Sequence, residues 1–128
     1  MRSIGPLNSG AAVGTDGEAT ANTDSPVIIS GRVVGVGVRY NDSPPATTDM
    51  VLKTKGTDPR VPTYTLLTLT NGCTDGFYMP RKTPQGVTGV DLAALTVLEP
   101  FPVDDYVNVL IDDANADDSV DVWLLLEC

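Results

Sequence analysis

Between Asp105 and Leu126 the sequence alternates, and this stretch constrains the fold more than any other. Val107, Val109 and Ile111 fall on one face of an extended chain, with Tyr106, Asn108 and Leu110 on the other. In a second run Val120, Val122, Leu124 and Leu126 share a face opposite Asp121, Trp123 and Leu125. A period of two marks a strand, and both runs are rich in β-branched and aromatic residues. Between them, Asp112-Asp113-Ala114-Asn115-Ala116-Asp117-Asp118 collects polar, turn-forming types. The spacing predicts a β-hairpin whose two arms are joined by a seven-residue acidic turn.

The rest of the chain repeats the signal in shorter form. Val27 to Tyr40 is the longest strand signal, with Val34, Val36, Val38 and Tyr40 on one face and Val33, Gly35, Gly37 and Arg39 on the other. Two glycines on one face invite a bulge or the close approach of another group. Asn41-Asp42-Ser43-Pro44-Pro45 ends the run, because proline lacks the N–H that a ladder needs. Asp49 to Lys55 puts Met50 and Leu52 on one side and Val51, Lys53 and Lys55 on the other, with the lysines facing water. Thr63 to Thr70, Phe77 to Met79 and Thr96 to Leu98 supply further strands, separated by turn dipeptides such as Asn71-Gly72 and Asp75-Gly76. Arg81 to Val90 reads as a loop, Asp91 to Leu95 as a single helical turn capped by Asp91, and Pro100-Phe101-Pro102 as a corner. About seven strands punctuated by Gly, Pro, Asn and Asp predict an all-β fold, an antiparallel β-sandwich of jelly-roll-like or immunoglobulin-like type.

That sandwich is assigned to residues 25–128 as one domain. Residues 1–24 carry few large apolar side chains (Met1, Ile4, Leu7, Val13) among Gly, Ala, Ser, Thr and Asn, so they read as a flexible N-terminal arm. The competing reading is an edge strand over Glu18 to Asn22, where a weak alternation runs.

Charge narrows the partners. The net charge is -9, which disfavours nucleic acid and anionic membranes. Every Lys and Arg lies at or before Lys82, so the acids beyond it face no base. The longest apolar run, Val122 to Leu126, is far short of the roughly 20 residues of a membrane span. Met1-Arg2-Ser3-Ile4-Gly5-Pro6 leads into small polar residues rather than an apolar secretory core, so synthesis in a cytoplasm is the expectation. Cys73 and Cys128 are then expected as free thiols.

Catalytic types are sparse. Without a histidine the chain excludes Ser-His-Asp and Cys-His chemistry, and no enzymatic activity is expected. The pairs Asp104-Asp105, Asp112-Asp113 and Asp117-Asp118 read as solvated turn residues, since neighbours on a strand point to opposite faces. Asp113 to Asp117 matches the first half of an EF-hand calcium loop, but Asp118 and Leu124 stand where that loop needs glycine and glutamate. No metal and no cofactor are assigned. The expected partner contacts are Ile4, Leu7 and Val13 on the arm, a basic strand face of Arg39, Lys53 and Lys55, and Trp123 on a strand apolar on both faces.

Two segments carry a resemblance. Pro45-Ala46-Thr47-Thr48-Asp49 runs through Leu66-Leu67-Thr68-Leu69-Thr70 to Thr74-Asp75-Gly76-Phe77-Tyr78-Met79-Pro80-Arg81, and Pro102-Val103-Asp104-Asp105-Tyr106-Val107 runs through Ser119-Val120-Asp121-Val122-Trp123. They resemble small β-rich virion proteins of tailed bacteriophages and are similar in kind to capsid decoration, or cement, proteins. The resemblance implies a non-enzymatic virion structural protein, assembled in the host cytoplasm, whose partner is the major capsid protein. It carries over no residue role. Uneven charge predicts head-to-tail self-association, most simply a trimer. The alternative function is a virion-displayed binding module for carbohydrate or a host surface.

Overall fold

The computed structural model describes residues 1–41, 43–82 and 98–127, in which every regular element is a strand. In chain order these are β1 (Arg2–Asn8), β2 (Ala19–Asp24), β3 (Ile29–Asn41), β4 (Asp49–Thr54), β5 (Thr65–Leu69), β6 (Gly76–Tyr78), β7 (Phe101–Asp105), β8 (Val107–Ala114) and β9 (Ser119–Glu127). They form two antiparallel sheets. One runs β1-β9-β3-β6 with β7 also paired to β3, and the other runs β2-β8-β4-β5. The all-β sandwich expected from the alternation is the fold.

The hairpin is not. The two alternating runs are β8 and β9, but β8 pairs with β2 and β4 while β9 pairs with β1 and β3. The chain therefore crosses from one sheet to the other at residues 115–118, and the two arms face each other across the core. Alternation fixes which side chains share a face and is silent on which strand lies beside them, so a hairpin and an arch look alike in sequence. The arch wins because Val107, Val109, Ile111, Val120, Val122, Leu124 and Leu126 are all at most 1% exposed, lining the facing interiors of two sheets.

The N-terminal segment also departs from expectation. Residues 1–24 are not a separate arm: β1 lies on β9 and β2 lies on β8, and the edge-strand reading of residues 18–22 is the one the fold adopts. Short side chains suffice there, because Leu7, Ala12, Ala19 and Ala21 are buried and ladder bonds supply the rest. The 9–18 loop wraps the 115–118 arch, with Ala12 N–H donating to Asp118 O at 2.8 Å and Asp117 N–H to Ala12 O at 2.8 Å.

A strand was hidden by its proline. Pro100-Phe101-Pro102, read as a corner, leads straight into β7 (Phe101–Asp105), in which Pro102 pairs opposite Arg32. Proline is tolerated because β7 is an edge strand. Strand β3 is long enough to hold β7 along Ile29–Val33 and β6 along Val36–Val38 on one side and β9 on the other. A register shift between Val33 and Gly35 moves the buried phase, so Val33 faces inward and then Val36 and Val38 do. The expected bulge at the glycines is present. The helical turn at Asp91 to Leu95, nearly all of the loop and strand around it, and Cys128 lie outside the described residues; Leu98 is in no strand.

Candidate binding face

Two of the carboxylates read as solvated are buried. Asp105, 1% exposed, stands where the chain leaves β7 in one sheet for β8 in the other. A chain that changes sheets leaves ladder groups unpaired. The Asp105 carboxylate accepts from Gly56 N–H at 2.6 Å, Thr57 Oγ1 at 2.8 Å and Tyr106 N–H at 2.7 Å. Asp118, 2% exposed, accepts from Asn115 N–H at 2.8 Å inside the arch. Both are fastenings of the fold. On the outside of the same turn, the like charge of Asp112 pushes the Asp113 carboxyl up, with smaller contributions from burial, Asp49 and Glu18. Among the described residues no group of three or more His, Cys, Asp or Glu is placed to hold a metal.

The outer face of the five-stranded sheet is built differently. Register places Trp123 beside Gly37, and Phe77 beside Gly37 on the other side. Trp123 is half-buried between two glycines: a Cβ on Gly37 would lie 3.8 Å from its Cβ, and one on Gly5 would lie 3.0 Å from its Cδ1. Gly5 also has φ +140°, so no other residue fits there without strain. The Phe77 ring lies over Gly35, where an added Cβ would collide with it, yet Phe77 remains 60% exposed. Glycines on β1 and β3 thus form a floor on which two aromatic rings rest outside the core.

A polar cluster borders the rings. Asp121 accepts from Asn8 Nδ2 at 2.7 Å, from Arg39 at 3.0 Å and from Asn41 Nδ2 at 3.3 Å. Burial alone would raise the Asp121 pKa, but these hydrogen bonds outweigh it and hold the carboxyl below its usual value. The Arg39 guanidinium, centred 5.3 Å from the Trp123 ring, adds a cation–π contact. The Arg39 side chain remains half-exposed beside the ring.

The residues singled out in the sequence divide three ways. Arg39 and Trp123 meet on this face. Lys53 lies on β4 of the opposite sheet and Lys55 just past its end, where the Lys55 ammonium is 2.7 Å from Asp24. That ion pair draws the Asp24 carboxyl down and the Lys55 ammonium up. Arg39, Lys53 and Lys55 therefore form no common basic face. Ile4 and Leu7 pack on the core, while Val13, 78% exposed, bridges Thr20. Phe77 is not among the residues singled out in the sequence; the signal for it was the glycine pair on β3. Cys73 carries a free thiol.

No protein-family model and no curated protein matches the chain. Among solved structures it is similar to one described as "Family 16 Carbohydrate Binding Module-2", with 12% identity over 84% of this chain and 68% of that one and a TM-score of 0.36. A likeness of that degree says nothing about a ligand.

Proposed function

We propose that this chain is a non-enzymatic binding module that attaches through the outer face of its five-stranded sheet. The observation behind this reading is the pair of rings held on a glycine floor beside the Asn8-Asp121-Arg39-Asn41 cluster. Phe77 contributes exposed apolar area outside the core, and its ring fills the space that a side chain on Gly35 would need. A stable protein interface takes about 800 Å² a side with an apolar centre. A strip of two rings with a polar border suits a chain-like surface ligand better, which favours attachment to a surface polymer over a capsid lattice.

Retention assays test the face. Wild type, Trp123→Ala and Lys53→Ala, which changes the opposite sheet, are run against insoluble polysaccharides, intact bacterial cells and purified phage heads. Trp123→Ala should lose retention on one of these while Lys53→Ala keeps it. Retention lost only in Lys53→Ala moves the site to the other sheet. Co-sedimentation with phage heads alone would favour the decoration reading drawn from the sequence resemblance.

A further inference from the structure

We infer that the ligand is an uncharged polysaccharide whose chain runs across the strands, one sugar against Trp123 and another against Phe77; this rests on the binding-module reading above. Arg39 is paired with Asp121 and Arg32 with Glu127, so each of these two cations already has beside it an anion that an acidic ligand would have to displace. The protein as a whole is anionic and repels uronates, sulfated sugars and sialylated glycans. What the face does offer matches a pyranose. Rings present flat apolar surface to the C–H face of a sugar, while the half-exposed Arg39 side chain stands beside the Trp123 ring for its hydroxyls.

Register sets the direction. Trp123 and Phe77 flank Gly37 on the two neighbouring strands, so their backbones are two strand spacings apart, roughly 10 Å. A chain running along the strands would meet one ring; a chain crossing them obliquely, from Trp123 beside Gly37 to the Phe77 ring over Gly35, meets both. The Asn8-Asp121-Arg39 row lies one side-chain pair along the strands from the Trp123–Gly37 pair, on the side away from Gly35.

Trp123 is the only tryptophan, so emission excited selectively above the tyrosine absorption band reports on this face alone. The full chain is titrated with neutral cello-, xylo- and malto-hexaose and with anionic oligogalacturonate. At least one neutral hexaose should shift the emission saturably, oligogalacturonate should not, and the corresponding disaccharide should bind at least tenfold more weakly. Phe77→Ala, at an exposed position, should weaken hexaose binding at least tenfold with an unchanged melting temperature, and Arg39→Gln should weaken it likewise. A saturable response to oligogalacturonate alone overturns the uncharged assignment, and equal binding of Phe77→Ala overturns the two-ring path. If no hexaose binds while Trp123→Ala still abolishes retention on cells or heads, the ligand class is wrong and the face stands. If a hexaose binds without moving the Trp123 emission, the face is wrong.

Discussion

Asp105 gives an acidic residue a role that its place in a run of acids conceals. Burial alone would raise its pKa, but hydrogen bonds from Thr57 Oγ1 and from backbone amides of Gly56 and Tyr106 outweigh burial and hold it below 3.8. A carboxyl depressed in the folded state stabilises above its unfolded pKa, and that contribution is lost as pH falls through the folded value. Asp105→Asn should therefore cost about 3 kcal/mol at neutral pH by leaving buried donors poorly matched. In urea titrations at pH 7 and pH 3 the gap from wild type should narrow at pH 3. Tyr40 behaves in the opposite sense. Its hydroxyl is buried without a partner among the described residues, and burial, helped by Tyr78, Cys73, Asp75 and Asp49, pushes its pKa up to about 12. A group raised in the folded state stabilises below its unfolded value, here 10.0, and loses that contribution as pH rises toward 12. Tyr40→Phe removes an orphaned polar atom, so it should hold or raise the melting temperature at pH 7 and flatten the alkaline loss seen by circular dichroism.

At the scale of elements, two arches lie one over the other: β1 to β2 passes above β8 to β9, each strand pairing with the one below it. Deleting residues 1–24 would uncover the edges of both sheets and the core beneath Leu7 and Ala19. The truncated chain should lose its cooperative thermal transition or aggregate, which light scattering during a melt would record. A body that melts like the full chain would show the N-terminal arch to be dispensable. Gly35 and Gly37 differ in what a methyl group would do. Gly35→Ala should displace the Phe77 ring, while Gly37→Ala meets Trp123 at ordinary contact distance. Strands and buried faces were readable in the sequence because alternation encodes them locally: Met50 and Leu52 are inside, and Lys53 is outside, as expected. The pairing of β8 was not readable, because the chain passes from sheet to sheet and only the facing interiors decide it. Strand β7 was lost to Pro102, and the ring-bearing face to glycines that mark a close approach without saying by what.

For the whole molecule, that criss-crossing governs how the fold can form. Among the described residues only β4 and β5 pair with a neighbour in sequence, while β1 waits for β9 and β2 for β8. Contacts of such separation must close large loops before any is rewarded, so refolding belongs to the slow, β-rich class of about milliseconds to seconds. Stopped-flow fluorescence of Trp123, which is seated only when β1, β9 and β3 meet, should follow that phase; a microsecond signal would mean the indole is placed before the sheet. The same ladder sets Arg2 opposite Leu126, so the chain enters and leaves the sandwich at one corner. A short Gly-Ser bridge should splice those ends together, and new ends cut in the exposed turn at Pro59-Arg60 should leave a circular permutant with the parent's β spectrum. A domain whose ends meet in this way can be grafted into a loop of another protein without prying that host apart.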